Sequence, residues 1–289
     1  MSIFNNQKIQ KENEVFNITD DIELILPDGF SKFFNHYRDQ TDLQHLEYEN
    51  FIELTKGKKV LIDVGCHVGA FPLTFNSLEE NRHSFGFDLN PLNMKAFLNI
   101  LALNKDKRYD SITLYNILIS DNISEKGFCI LTGDSDFVKN EMGLQGVVDT
   151  DVDGLNEDWD FRDLREGIEK NSQKLTTETV DNFCDFLMTE NRLLPDVIKI
   201  DVEGYEGKVL DGAQKTLRHI RPLMFIEIHQ KYLPSYNSNI VDIYNHIKDL
   251  DYVMYDYNRK KVESTDQYES LFENLTELRV YCIHKSKKG

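Results

Sequence analysis

Cysteine, basic charge and long apolar runs are all scarce in this 289-residue chain. The four cysteines, Cys66, Cys129, Cys184 and Cys282, are scattered and form no CxxC pair. Neither a disulfide framework nor a cysteine-built zinc site is therefore expected. Lys and Arg number 33 against 50 Asp and Glu, a net charge of −17. No basic stripe is present to neutralise phosphates, so no nucleic-acid partner is expected, and an anionic membrane surface is disfavoured on the same ground. No apolar run approaches the roughly 20 residues that cross a bilayer. The opening MSIFNNQKIQKENEVF holds no apolar signal core, and the expected setting is cytoplasmic and reducing.

Hydrophobic residues make up 40% of the chain and aromatics 11%, enough for a sizeable core. A short strand is expected at Ile22–Leu26 and a helix over Asp42–Leu54, which Gly57 stops. A strand–helix alternation then begins. The apolar pattern predicts strands at Val60–Val64, Ser84–Phe87, Ile112–Ile119, Val197–Val202, Leu223–Ile228, Tyr252–Tyr257 and Glu277–His284, and a hairpin strand at Phe128–Leu131. Helices are expected at Ala70–Leu78, Pro91–Leu103, Thr179–Met188, Lys208–Leu217 and Ile240–Leu250. This is the rhythm of an α/β fold: a mostly parallel sheet with helices on both faces. The last two strands have no convincing helix between them, which suggests an antiparallel edge. Residues 1–56 read as an N-terminal extension and helix, and 57–289 as the main domain. Residues 133–174 interrupt it with 12 acidic and 5 basic residues, in a position to cover the strand ends.

Ligands on such sheets bind at the carboxyl ends of the strands. The first strand runs into IDVGCHVGAF, where Asp63 precedes a turn bracketed by Gly65 and Gly69. A dinucleotide fingerprint would place glycine at 67, to let backbone approach a pyrophosphate, and His67 stands there instead. Asp63 would also repel a pyrophosphate, whereas S-adenosylmethionine carries a sulfonium and an ammonium and no phosphate. Asp88 closes the second strand, 19 residues beyond Gly69, where a carboxylate can accept both ribose hydroxyls or cap the helix starting at Pro91.

The fourth long strand supplies VIKIDVEGYEGKVL, with Lys199 and Asp201 on one side by period two and Glu203 and Glu206 following. A lysine in an apolar strand needs a partner, so the pair is either structural or part of a site. FIEIHQ similarly puts Glu227 and His229 on one side of the next strand, either as a satisfied buried pair or as neighbours of Asp201. The insert adds DTDVDGLNEDWD, in which Asp149, Asp151, Asp153 and Asp160 have the spacing of a calcium loop, with aspartate in place of the final glutamate. A solvated acidic loop is the plainer reading. Trp159 and Phe161 in the same stretch suit either stacking on a sugar or anchoring to the core.

Taken together, DVGCHVG (63–69), GFDLNP (86–91), ITLYNILISD (112–121), LTTETVDNF (175–183), KIDVEGYE (199–206) and RPLMFIEIH (221–229) resemble the FkbM-type S-adenosylmethionine-dependent methyltransferases. The resemblance runs from about 60 to 230 and implies a Rossmann-like class I methyltransferase fold. It also implies O-methylation of a carbohydrate or other small hydroxylated acceptor. By position, Asp63, Gly65 and Gly69, with Cys66 and His67 between the glycines, would surround the methionine part. Asp88, with Leu89 beside it, would hold the ribose, and Ser120 and Asp121 would lie near the adenine. Asp201 would face the sulfonium and the acceptor. His67 departs from the family, which commonly has asparagine there.

An alcohol acceptor must lose a proton, and His229 is the expected general base, with Asp201, Glu227 and Lys199 around it. The second arrangement is a divalent cation held by Asp201, Glu227 and His229. Competing readings are N-methylation or protein methylation, and a methyltransferase-fold scaffold with a calcium-ordered acidic loop. An NAD-dependent oxidoreductase is the weakest.

Overall fold

Alternating apolar residues build the first unit of the chain. Strands β1 (Glu14–Thr19) and β2 (Ile22–Leu26) pair antiparallel and turn Phe16, Ile18, Leu24 and Leu26 inward. The computed structural model describes residues 13–20, 22–39, 43–123, 130–132, 177–273 and 275–287. The 133–174 insert, with the calcium-loop candidates Asp149, Asp151, Asp153 and Asp160, lies outside the described residues, as does Cys129. Two helices follow the hairpin, α1 (Lys32–Asn35) and α2 (Leu43–Leu54).

The expected alternation then unfolds: β3 (Val60–Val64), α3 (Ala70–Leu78), β4 (His83–Phe87), α4 (Pro91–Leu103) and β5 (Ile112–Tyr115). Asn90 caps α4, its side chain accepting from Leu92 N, and Pro91 fills the first turn, where its missing N–H is no loss. Short strands β6 (Leu118–Ile119), β7 (Ile130–Thr132) and β8 (Thr177–Glu178) precede α5 (Val180–Asn191) and β9 (Val197–Asp201). The chain continues through α6 (Glu206–Asp211), α7 (Gln214–His219), β10 (Leu223–Ile228), α8 (Ile240–Asp249), β11 (Tyr252–Tyr255), α9 (Thr265–Ser270) and β12 (Leu278–His284).

Eight strands form the main sheet in the order β11-β12-β10-β9-β3-β4-β5-β7. The five from β10 to β5 are parallel. β12 runs antiparallel between β10 and β11, and β7 pairs antiparallel at the other edge. The fold is thus the Rossmann-like α/β arrangement, with antiparallel strands at its margins. One apolar layer packs Phe183, Val209, Leu217, Ile243 and Tyr268 on one face of the sheet. The other gathers the amino-terminal hairpin with Phe51, Phe71, Phe75 and Phe97. Phe51 is fully buried, with its ring 4.9 Å from Phe71 and 5.3 Å from Phe225. Burial of such a ring stabilises the fold by about 1.5–3 kcal/mol.

Three expectations need correction. Ile112–Ile119 is two strands, because Asn116 turns out of the sheet to donate to the Asp88 carbonyl at 2.8 Å, and β6 then pairs with β8 in a sheet of its own. The helix expected over Lys208–Leu217 starts at Glu206 and breaks at Gly212, where a Cβ would stand 2.0 Å from the Ser120 carbonyl oxygen. A short helix, α9, does separate the last two strands.

Candidate functional site

The turn after β3 is built on close backbone contacts. Gly65 N and Cys66 N both donate to the Phe87 carbonyl, at 2.7 and 3.0 Å, tying the turn to the end of β4. Gly65 has φ 87°, and a Cβ there would stand 1.8 Å from the Asp201 carbonyl oxygen. Gly69 has φ 91°, and a Cβ would sit 2.2 Å from the Phe97 ring. Only glycine fits either place. His67 adopts φ 48°, left-handed without being glycine, and its ring meets Phe33 edge-on at 5.1 Å. Burial lowers its pKa, so the ring is neutral. Cys66 is buried, and burial pushes its thiol far above the usual range, leaving it no nucleophile.

Two carboxylates flank this turn. Asp63 is 1% exposed, and neither of its oxygens has a hydrogen-bond partner among the described residues. Burial, working against the nearby Lys199 ammonium, pushes its pKa up to about 7. An unpaired buried carboxylate is costly, and such costs persist where a ligand repays them. Asp88 is already engaged: its Oδ2 accepts from His67 N at 2.9 Å and Asn93 Nδ2 at 3.2 Å, and its Oδ1 from Asn90 N at 2.7 Å. The carboxylate therefore braces the turn and the entry of α4, with Leu89 half-buried beside it. Burial pushes its pKa up to about 6. Farther along, Ser120 Oγ lies 3.0 Å from Asp121 Oδ1 and from the Tyr205 hydroxyl, and Lys208 Nζ reaches Asp121 Oδ2 at 2.7 Å.

The ends of β9 and β10 bring the remaining candidates together. Glu227 pairs with Asp201 in the sheet register, which places the motifs side by side. Lys199 is 1% exposed; its Nζ donates to Asp201 Oδ2 at 2.9 Å and rests 4.4 Å from the Phe71 ring centre. Burial opposes the ammonium, but Asp201, Asp63 and Glu47 outweigh it and keep Lys199 charged. That charge and those of His229 and Arg279 overcome burial and hold Asp201 down at about 2. His229 Nδ1 donates to Glu206 Oε1 at 2.8 Å. Burial opposes a charge on this ring too, yet Glu206, Asp201 and Glu203 raise its pKa to about 10. The surrounding carboxylates thus favour the charged form of the ring.

Sequence reasoning assigned no role to three groups at this end. Glu206 is fully buried, and its Oε1 also accepts from Gly204 N at 3.0 Å. Arg279 of β12 contacts Glu227 directly, lies 2.8 Å from Glu277 Oε1, and puts its Nε 3.4 Å from Glu47 Oε2 on α2. Glu206 sat within the VEGYE run and could have been flagged. Arg279 and Glu47 carry no local motif, because only the fold brings them to β10.

The profile of the methyltransferase FkbM domain matches residues 63–254, well over half of the chain. The chain belongs to this family. The FkbM domain is that of an S-adenosylmethionine-dependent methyltransferase, and the matched span contains both glycines, Asp88, Asp201 and His229. Arg279 and Glu47 fall outside it. Among solved structures, a methyltransferase FkbM from Methylobacillus flagellatus KT is similar at 13% identity and TM-score 0.46, covering 89% of this chain and 56% of that one. A putative SAM-dependent methyltransferase from Streptococcus mutans aligns at 12% identity and TM-score 0.42, covering 94% and 55%. A putative rRNA methylase from Clostridium thermocellum aligns at 11% and 0.39, covering 81% and 93%. The chain thus spans just over half the length of the first two. No curated protein matches it significantly. Among the described residues no helix is long and apolar enough to cross a membrane.

Proposed function

We propose that this FkbM-domain protein transfers a methyl group from S-adenosylmethionine to a hydroxyl of a carbohydrate or other small hydroxylated acceptor. The observation that carries the cofactor half is Asp63, a buried carboxylate with no partner of its own beside the glycine turn. A cationic ligand satisfies it, and a pyrophosphate would be repelled. Asp63 and the Gly65–Gly69 turn would hold the methionine part, and Asp88, through its remaining lone pairs, the ribose. Ser120 and Asp121 would border the adenine. Once bound, the cofactor supplies an electrophilic methyl carbon.

The acceptor half rests on the cluster around Asp201. Lys199 takes one oxygen of Asp201 and leaves the other to orient the acceptor hydroxyl. The proton goes to the carboxylates beside His229, of which Glu203 is the most exposed, with a pKa raised by burial against the pull of His229. A base with a raised pKa is matched to that task. The ligand atoms of Asp201, Glu227 and His229 lie within 4.8 Å of one another, so a divalent cation there belongs to the same proposal and would polarise the hydroxyl. The acidic surplus also suits an amine acceptor, which the acceptor screen should include.

Calorimetric titration with S-adenosylhomocysteine, run beside NAD, tests the first half. Saturable binding of the former alone is expected, and binding of NAD alone would overturn the reading. Incubation with radiolabelled S-adenosylmethionine and panels of sugars, phenols and amines tests the second. Label transfer confined to amines would replace O-methylation with N-methylation.

A further inference from the structure

We infer that Tyr37 and Tyr257 recognise the acceptor, their phenols holding a second hydroxyl of a diol or polyol while the first meets Asp201. Both residues stand outside the family-matched span 63–254, one on either side of it. Their role rests on the methyl-transfer reading above and narrows its acceptor class.

Topology places Tyr257 on the ligand side of the sheet. β11 is antiparallel to β12, and β12 to β10, so β11 ends at the same margin as β9 and β10. Ligands bind along that margin, and Tyr257 follows the end of β11 by two residues. Asn50 on α2 fixes the segment: its Nδ2 donates to the Tyr257 carbonyl at 2.8 Å, and its Oδ1 accepts from Arg259 Nε at 2.7 Å. The Tyr257 hydroxyl is buried and has no hydrogen-bond partner among the described residues. Glu47, Arg279 and Glu227 are the charges around it.

Tyr37 reaches the same place from the amino-terminal unit. It follows α1, and its carbonyl accepts from His45 Nδ1 at 3.0 Å. Its ring stacks on Tyr48 at 5.2 Å and meets Phe71 edge-on at 5.4 Å. Phe71 is the ring on which Lys199 Nζ rests, and Lys199 in turn binds Asp201. The charges around the Tyr37 hydroxyl are Lys199, Glu47, Asp201 and Glu227. The two phenols thus share Glu47 and Glu227 among the charges that surround them.

Phenylalanine would supply either ring without a hydroxyl. At position 257 the unpaired buried hydroxyl costs stability, a cost that a ligand hydroxyl offsets when it binds. A phenol is neutral at pH 7, and its one oxygen both donates and accepts, which matches an alcohol. Arg279 already engages Glu47 and Glu227, which leaves the phenols to meet an uncharged hydroxyl.

Full-length wild type, Tyr37→Phe and Tyr257→Phe should be assayed with radiolabelled S-adenosylmethionine and methyl hexopyranosides, each beside its monodeoxy analogues. Calorimetry of the same glycosides on the S-adenosylhomocysteine complex gives Kd where turnover is absent. Each variant should raise KM, or Kd, for the preferred glycoside about threefold to tenfold while kcat stays within about twofold. One deoxy analogue should be about threefold to tenfold worse than its parent in wild type, and that gap should close to within about twofold in Tyr257→Phe. Tyr257→Phe should melt no lower than wild type, because it loses only an unpaired hydroxyl. The assignment is overturned if neither variant changes KM or Kd, if the deoxy gap survives in both, or if no glycoside is methylated or bound. A more stable Tyr257→Phe with unchanged acceptor affinity would assign that hydroxyl to a bound water alone. S-adenosylhomocysteine titration separates the two levels: acceptor failure with that ligand still bound strikes this assignment alone, whereas its absence in wild type strikes the methyl-transfer reading as well.

Discussion

The carbonyl oxygen of Asp201 stands where a side chain on Gly65 would have to go, 1.8 Å from the ideal Cβ position. The glycine turn of β3 and the acidic end of β9 are thereby locked by backbone contact. A side chain at position 65 could enter only if one of the two strand ends moved.

Gly65→Ala must therefore move backbone as well as adopt φ 87° with a side chain. We expect a loss of about 2–4 kcal/mol in stability and a large loss of S-adenosylhomocysteine affinity. Denaturant melts and calorimetry check both. An alanine variant that melts and binds like wild type would show that the two strand ends are not rigidly joined.

Asp63 makes a prediction in pH. Its folded pKa of about 7 lies above the unfolded value of about 3.9. The folded protein thus binds a proton that the unfolded chain has released across that window. Its contribution to stability is full below about pH 4 and is lost as pH rises through about 7. Asp63→Asn removes the titration, so the stability of the variant relative to wild type should rise by about 2–3 kcal/mol between pH 5 and pH 8. The same substitution should weaken binding of S-adenosylhomocysteine, whose ammonium loses its carboxylate. Melting curves at the two pH values, with and without that ligand, separate the effects.

What the sequence made legible is what local pattern governs. β3, β4, β9 and β10 carry apolar runs, and their terminal acids Asp63, Asp88, Asp201 and Glu227 fall at the strand ends as expected. Register then does the rest, setting Asp63 opposite Lys199 and Asp201 opposite Glu227. Less legible was whatever depended on distant partners. Asn116 leaves an apolar run to bond the Asp88 carbonyl, and Gly212 breaks a periodic helix to make room for the Ser120 carbonyl. The set of carboxylates around His229 was equally hidden, because Glu206 and Glu203 reach it from another strand end.

Asp88 has both a structural and a ligand-binding role to test. It accepts from His67 N and Asn90 N, and Asp88→Ala leaves those donors without their acceptor, at a cost of about 1–3 kcal/mol. Asp88→Asn keeps one carbonyl oxygen and should recover part of that stability. If the carboxylate also binds ribose, both variants should weaken S-adenosylhomocysteine while adenine alone binds as before. Equal affinity of Asp88→Asn and wild type would confine the residue to bracing the turn.

Arg279 joins elements that sequence reading left unconnected. Its guanidinium contacts Glu227 on β10 and lies 3.4 Å from Glu47 on α2, both of them buried. Truncating it to Arg279→Met leaves two buried carboxylates without their cation, which should cost about 3–5 kcal/mol. Arg279→Lys keeps the charge but lacks the fork that spans both partners, so it should restore only part of the loss. Adding Glu47→Gln to Arg279→Met removes one stranded charge, and the double variant should be more stable than the arginine variant alone. Urea unfolding of the four proteins in a double-mutant cycle measures this coupling. Asp63 and the glycine turn are built from other residues, so S-adenosylhomocysteine affinity should stay within a few-fold of wild type in the folded variants. Additive losses at Arg279 and Glu47 would mean that the guanidinium is anchored by Glu227 and Glu277 alone.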